Sequence, residues 1–305
     1  MTTDQLVAEA TTVERVSLAL GARLDGVDLA REIDDEQRET ARRAFRDHHL
    51  LVVRGQDITV DDQRRFATIF SELDPAAGEN PLEMRIHTSV FALEGHPDCL
   101  ALHNSAERRP GLDHWHSDNI GFLDPPSATV LYAKITPEVG GDTLFSNMHL
   151  AYEALSPTMQ RFLEGLQGVH DMRQAFRNPM LERALRAKGI DPDEHFAQHT
   201  AVAHPLIREH PLTGRKALFM SAPHTTGIVG LSDDEAANLL GFLRHHVENP
   251  AFHYRHVWRE GDLLVWDNRS LQHLPVADYY PEERLMFRMS VAGARVPEAV
   301  PVARA

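Results

Sequence analysis

The sequence predicts a mostly β protein with helices packed on the outside of its sheets. Short apolar or alternating runs recur between turn signals: HLLVV at 49–53, SATVLYAKI at 127–135, KALFMS at 216–221, DLLVWDN at 262–268 and RLMFRMSV at 284–291. Segments of helical period are fewer and lie between these runs. No internal repeat, low-complexity tract or linker interrupts the 305 residues. One domain over 1–305 is therefore expected, with a loose tail over 296–305.

In chain order, VERVSLALGARLDGVDLA at 13–30 mixes apolar stretches with glycines and reads as strands and turns. DDEQRETARRAFRDH at 34–48 reads as a helix capped by Asp34 or Asp35, and TVDDQRRFATIF at 59–70 as a second helix capped by Thr59. Residues 74–98 are rich in Pro and Gly and read as a long loop with at most one strand. AYEALSPTMQRFLEGL at 151–166 is helical but broken at Ser156-Pro157. Residues 178–200 are helical in pattern, and loops at 74–95 and 176–200 are the candidate lids. Strands resume from 201, interrupted by a helix at 232–248 with Ser232 as its cap.

Composition narrows the function classes. With 42% hydrophobic and 25% charged residues the chain is an ordinary globular one. Lys plus Arg number 31 against 45 Asp plus Glu, a balance of −14 that opposes nucleic-acid binding. The single cysteine, Cys99, cannot form an intrachain disulfide, and the start MTTDQLVAEATT lacks the features of a secretory leader. No apolar run approaches the ~18–20 residues that span a bilayer. A soluble, cytoplasmic protein with no membrane or nucleic-acid partner is expected.

The stretch HWHSD at 114–118 holds the first chemistry. On an extended strand, side chains at i and i+2 share a face, so His116 and Asp118 could meet one metal ion. A polar strand edge explains the same residues. His96-Pro-Asp98 has the same spacing, but its proline suits a turn. Two ligands leave a divalent ion short of donors. Two histidines and one carboxylate form the facial set that binds Fe(II) with positions left open. WDNRSLQHLPV at 266–276 offers His273, just past the strand DLLVWDN. In ERLMFRMSV, Arg284, Met286, Arg288 and Ser290 share one face, and Leu285, Phe287, Met289 and Val291 the other. The arginines on the first face either meet water or bind anions, since a lone buried guanidinium is costly. EVGGDTLFSN at 138–147 turns into a strand that carries Thr143.

These segments resemble the taurine/2-oxoglutarate dioxygenase family, which includes aryloxyalkanoate dioxygenases and alkylsulfatases. The resemblance runs from about residue 19 to 293, through LGARLDGVDL, HHLLVVRGQDIT, FATIFSELDP, DHWHSD, DPPSATVLYA, PEVGGDTLFSNMHLAYEALSP, HPLIREHPLTGRKALFM, WDNRSLQHLPVADY and ERLMFRMSVAG. It implies a double-stranded β-helix, or jelly roll, with helices outside. It implies His116, Asp118 and His273 as Fe(II) ligands, Thr143 and Arg284 as the holders of 2-oxoglutarate, and Arg288 as a contact to an acidic substrate. With O2, such an enzyme hydroxylates a small anionic organic acid, with or without loss of a heteroatom group, and yields succinate and CO2. Relatives are often homo-oligomers, dimers or tetramers. His224 stands where some members present an aromatic residue to substrate, and Phe176 and His103 are further lining candidates. The family pattern is departed from at Ser71 in FSEL, after the aspartate in DNIGF, and over 74–95. The same two-histidine, one-aspartate set also suits a zinc hydrolase, although no HExxH is present, and a non-catalytic ligand-binding jelly roll is a third reading.

Overall fold

The alternating runs sort their side chains onto the two faces of one sheet, and that sheet frames the molecule. The computed structural model describes residues 10–78, 80–83, 91–111, 114–173, 179–197 and 199–302. Its largest sheet has eight strands, in the order Thr12–Arg15, Ala22–Asp25, Leu50–Val53, Leu263–Asp267, Ala128–Ile135, Arg284–Val291, His96–Asn104 and Ala92–Leu93. Only Ala22–Asp25 and Leu50–Val53 pair in parallel; the other neighbours are antiparallel. A three-stranded sheet follows the order His253–His256, Thr143–Asn147, Leu271–Pro275. A four-stranded sheet joins Thr225–Ile228, Gln167–His170, Val202–Pro205 and Val300–Pro301, and Ile207–Glu209 pairs with Lys216–Leu218. The chain is thus mostly β with flanking helices.

One face of the large sheet offers Leu51, Val53, Val130, Tyr132, Val265 and Met289 to Phe45, Phe66 and Phe70 of the helices Asp35–His48 and Val60–Ser71. The other face offers Leu50, Val52, Leu131, Leu264, Trp266 and Met286 to Phe145, Leu271 and Trp258. Burying each such side chain contributes ~1.5–3 kcal/mol relative to exposure, so both faces are strongly committed. A one-residue slip in register would exchange the two sets. The helices Met148–Glu153, Pro157–Leu163 and Asp233–Val247 close a further core that contains Met148, Leu163, Leu218 and Leu240.

Helix starts follow local chemistry. Asp34, Thr59 and Ser232 each accept from the backbone N–H three residues on, and Gln37, Asp62 and Glu235 return the bond. Ser156 caps the second half of the broken helix, with Pro157 in its first turn.

Four differences from the sequence reading have physical causes. The strands Gln167–His170, Thr225–Ile228, His253–His256 and Leu271–Pro275 are short and mixed in polarity, so no alternation marks them. His96-Pro97-Asp98, expected as a turn, opens the strand His96–Asn104. Its ladder to Ala92–Leu93 is irregular at that end, where a proline costs no hydrogen bond, and Arg64 Nη2 donates to Asp98 Oδ1 at 2.7 Å. HWHSD is not a strand: His116 forms a single bridge to His273, and Asp118 begins a turn. The expected loose tail is packed as far as 302, because Val296 and Ala299 are each 1% exposed beside Val202, and Val300–Pro301 pairs with Val202–Ala203. Residues 303–305 lie outside the described residues. No helix among the described residues is long and apolar enough to cross a membrane.

Candidate metal centre and active site

His116 and His273 face each other across a closed backbone pair, with N–H to O distances of 2.9 and 2.8 Å in the two directions. Their ring centroids are 4.1 Å apart. Ser117 locks the pair, its Oγ donating to Leu271 O at 2.7 Å while its own N–H donates to Ser221 Oγ at 3.2 Å. The turn then brings Asp118 Oδ1 to 3.8 Å from His116 Nε2. One ligand atom from each of His116, Asp118 and His273 lies within 4.8 Å of the others, and all three residues are buried.

The protonation states suit a cation. His116 Nδ1 lies 2.9 Å from the carbonyl of His114; donating there leaves Nε2 with a free lone pair. Burial holds the imidazoles of His116 and His273 below the ordinary histidine range, hence neutral. Burial alone would raise Asp118, but the Arg288 guanidinium, with the hydrogen bond from Thr129, outweighs it and holds the carboxyl well below its usual range. Two neutral nitrogens and one anionic oxygen are therefore ready at neutral pH, with no proton to displace.

A second trio, His49, His210 and Asp267, has the same composition and burial. Most of its ligand atoms already have protein partners. Arg269 donates to Asp267 through Nε at 2.9 Å and Nη2 at 2.6 Å, and His210 Nε2 lies 2.9 Å from Asp267 Oδ2. Leu212 N donates to His210 Nδ1, and Ser270 Oγ sits 3.2 Å from His49 Nδ1. This trio is a satisfied structural network, and the 116/118/273 set fits a metal ion.

The predicted alternation of the strand Arg284–Val291 holds. Met286 packs in the inner core, whereas Phe287, Met289 and Val291 belong to the helix-facing core. Arg284 and Arg288 share the inner side with Met286. Arg284 is 6% exposed, its Nε has no hydrogen-bond partner, and no carboxylate among the described residues pairs with it. Its guanidinium lies 5.8 Å from the Trp258 ring and 5.7 Å from that of Tyr279. Trp258 Nε1 donates to Thr143 Oγ1 at 2.9 Å, which leaves the threonine proton free for another acceptor. A buried cation whose polar partner is the Tyr279 hydroxyl and which has no acid partner among the described residues, beside an indole that orients a hydroxyl donor, fits a carboxylate. Arg288 Nη2 stands 3.0 Å from Asp118 Oδ1, so this second arginine borders the candidate metal position.

The family model for taurine catabolism dioxygenase TauD, TfdA family matches residues 12–290. The chain belongs to this TauD/TfdA family. It is 31% identical over 280 residues to an alkylsulfatase of Acinetobacter baylyi, covering 90% of this chain and 82% of the relative. It is 32% identical over 266 residues to an alpha-ketoglutarate-dependent 2,4-dichlorophenoxyacetate dioxygenase of Cupriavidus pinatubonensis, covering 83% and 87%. The crystal structure of a taurine dioxygenase from Burkholderia xenovorans superposes with a TM-score of 0.77 at 27% identity, covering 96% of this chain and 97% of that one. This TauD/TfdA member is therefore an Fe(II)- and 2-oxoglutarate-dependent dioxygenase, with Fe(II), 2-oxoglutarate and O2 as its requirements. The zinc-hydrolase and non-catalytic readings lose their ground.

Of the weaker lining candidates, His224 is buried near the trio. Burial first, then the proximity of His116 and His114, lowers its imidazole to about 3. Its Nδ1 has no hydrogen-bond partner. His103 stands opposite Leu285, on the strand face away from Arg284, and its Nε2 lies 2.8 Å from Glu283. The structure does not bring His103 to the site. Phe176 lies outside the described residues, as does part of each expected lid. Sequence reasoning missed Ser117, Trp258, Thr129 and Asn268. The one available signal was Thr129, a hydroxyl set in the apolar run SATVLYAKI.

Proposed function

We propose that His116, Asp118 and His273 hold the Fe(II), that Arg284 and Thr143 bind the far carboxylate of 2-oxoglutarate, and that Arg288 reads the acid group of a small anionic organic substrate. When bound, iron, 2-oxoglutarate and oxygen together supply the oxidising power for hydroxylation, with succinate and CO2 as co-products. The chain's own residues do the rest. Arg284 and Thr143 fix the far end of the cosubstrate, so that its keto-acid end is presented to the metal position. Arg288 supplies a cation beside that position, and the buried surroundings exclude water.

The observation that carries the reading is the inner face of one strand. Arg284 and Arg288 flank Met286 on it, the first without an acid partner among the described residues and the second 3.0 Å from the carboxylate Oδ1 of the trio. Two cations so placed suit two anions, one cosubstrate and one substrate. The names of the relatives, an alkylsulfatase and a 2,4-dichlorophenoxyacetate dioxygenase, support an organic sulfate or aryloxyalkanoate class; sulfonates and amino-acid-like acids belong to the same test. His224 and Phe176 are proposed to line the substrate side. The sheets are proposed to form a double-stranded β-helix in one catalytic domain, working in the cytoplasm as a homodimer or homotetramer.

The test is succinate formation from 2-oxoglutarate with Fe(II), ascorbate and oxygen across a panel of these acids. One class is expected to stimulate turnover strongly, and His116→Ala to abolish it. Arg288→Ala should raise the substrate KM about 30-fold or more, corresponding to ~2–5 kcal/mol for a charge-assisted pair. Because Arg288 also touches Asp118, metal affinity is measured alongside. An unchanged KM with normal metal binding overturns the substrate role, and full turnover in His116→Ala overturns the metal assignment.

A further inference from the structure

We propose that Thr129 and Asn268 are positioning residues that hold Asp118 as a one-oxygen ligand. This rests on the assignment of Asp118 to the metal. Thr129 Oγ1 donates to Asp118 Oδ2 at 2.6 Å. Asn268 Nδ2 donates to Thr129 Oγ1 at 3.0 Å. Trp266 Nε1 donates to Asn268 Oδ1 at 3.0 Å. Trp266, Asn268 and Thr129 are 2%, 3% and 0% exposed, so no water competes for these bonds. The strand ladder sets the chain of contacts, because Thr129 and Trp266 are directly opposite each other.

The direction of this relay is fixed from its far end. An indole N–H can only donate, so the amide of Asn268 must turn its oxygen to Trp266 and its NH2 to Thr129. The flipped amide would set two donors against each other. With a lone pair of its oxygen taken, the Thr129 hydroxyl directs its single proton to Asp118, which when ionised can only accept. Oδ2 is thereby committed. Oδ1 remains, facing His116 Nε2 at 3.8 Å and Arg288 Nη2 at 3.0 Å.

The consequence concerns coordination number. One oxygen from Asp118 and one nitrogen from each histidine leave three adjacent positions of an octahedral ion open. If both oxygens of Asp118 bound, only two would remain, too few for a chelating keto acid together with oxygen. Rotating the carboxylate into that arrangement would require breaking the Thr129 bond. Partners of this kind, one step removed from the metal, usually govern affinity by 10–100-fold.

The experiment uses full-length protein stripped of metal, with anaerobic Fe(II) titration and the visible absorption band of the Fe(II)·2-oxoglutarate complex as readouts. Thr129→Val keeps the shape and removes the proton. It is expected to weaken Fe(II) binding about 10–100-fold and to shift the band. Thr129→Ser restores the hydroxyl and is expected to return both to near wild type. Asn268→Asp turns the neighbour into an acceptor, draws the threonine proton away from Asp118, and is expected to match Thr129→Val. Wild-type affinity and band in Thr129→Val, with binding lost in His116→Ala, would overturn the proposal alone. Retained binding in His116→Ala would instead overturn the metal assignment. Should Thr129→Val fail to fold, the Thr129→Ser and Asn268→Asp pair decides: equal, wild-type behaviour of both refutes the relay.

Discussion

Arg284→Met is expected to move stability and ligand binding in opposite directions. Arg284 is 6% exposed and no carboxylate among the described residues pairs with it. Burial pulls its guanidinium below the ordinary arginine range, a sign that the charged form is held at a cost. Methionine fills much of the same volume and carries no charge, and replacing a buried charge with a packed apolar group is often stabilising. A gain of ~1–2 kcal/mol, or roughly 2–5 °C in Tm, is expected without ligand. The cosubstrate loses its clamp at the same time. A charge-assisted pair worth ~3 kcal/mol is about 150-fold in affinity, so the KM for 2-oxoglutarate should rise by that order. In wild type, cosubstrate at 100 times its Kd should add ~2.7 kcal/mol of stability in the presence of metal, and in the variant at the same concentration most of that should vanish. Thermal melts with and without 2-oxoglutarate, under anaerobic Mn(II), read both effects. A variant that melts well below wild type, yet binds 2-oxoglutarate normally, would show that Arg284 is a structural cation and would refute the reasoning.

Asp267→Asn tests the second trio. It removes one side of a fully buried pair with Arg269 and should cost ~3–5 kcal/mol, on the order of 10 °C in Tm, while Fe(II) affinity stays near wild type. Asp118→Asn should do the reverse, abolishing the stabilisation by added metal in the same melts. Acid should weaken the fold through its buried histidines. Burial lowers His49 to about 3 and both His149 and His204 to about 4, so each stabilises the fold in its neutral form. That contribution is complete above the unfolded value of about 6.5 and is lost as pH falls from there toward 4 and 3, because the unfolded chain binds the extra protons. A loss of about 1–2 kcal/mol per histidine at pH 5 is expected, and urea unfolding at pH 5 and pH 7.5 measures it; equal midpoints would contradict it. Asp34→Ala should cost ~1 kcal/mol through loss of the capping bonds to the helix Asp35–His48, with activity unchanged.

Local features were legible in the sequence because their causes are local. Asp34, Thr59 and Ser232 cap helices through bonds to residues three positions away. The two faces of RLMFRMSV follow from a period of two, which puts Arg284 and Arg288 on one face without saying whether that face is buried. HWHSD shows the limit. Alternation on a strand suggested that His116 and Asp118 point the same way, and their ligand atoms do lie together, but a bridge and a turn bring them there. The turn is held by Ser117 Oγ reaching Leu271 O, 154 positions away. Residue pattern alone offers His273 only as a histidine just past a strand, and its ligand role comes from the family resemblance, because Leu271–Pro275 is five residues of mixed polarity and its pairing with Thr143–Asn147 is a contact of the folded chain.

By itself, then, the sequence determined where helices begin, which strand faces are apolar, that two arginines share one strand face, and the order of segments that marks the family. Tertiary structure decided which of two similar histidine–aspartate trios is open. Asp267 is saturated by Arg269 and His210, whereas Asp118 keeps an oxygen toward His116, and composition cannot distinguish them. It also decided that Arg284 has no acid partner among the described residues and that Thr129 and Asn268 stand behind Asp118. The reason is physical. A cap or an alternating face is set by bonds a few residues long, but whether a buried lone pair is free depends on every group that packing brings within 3 Å of it.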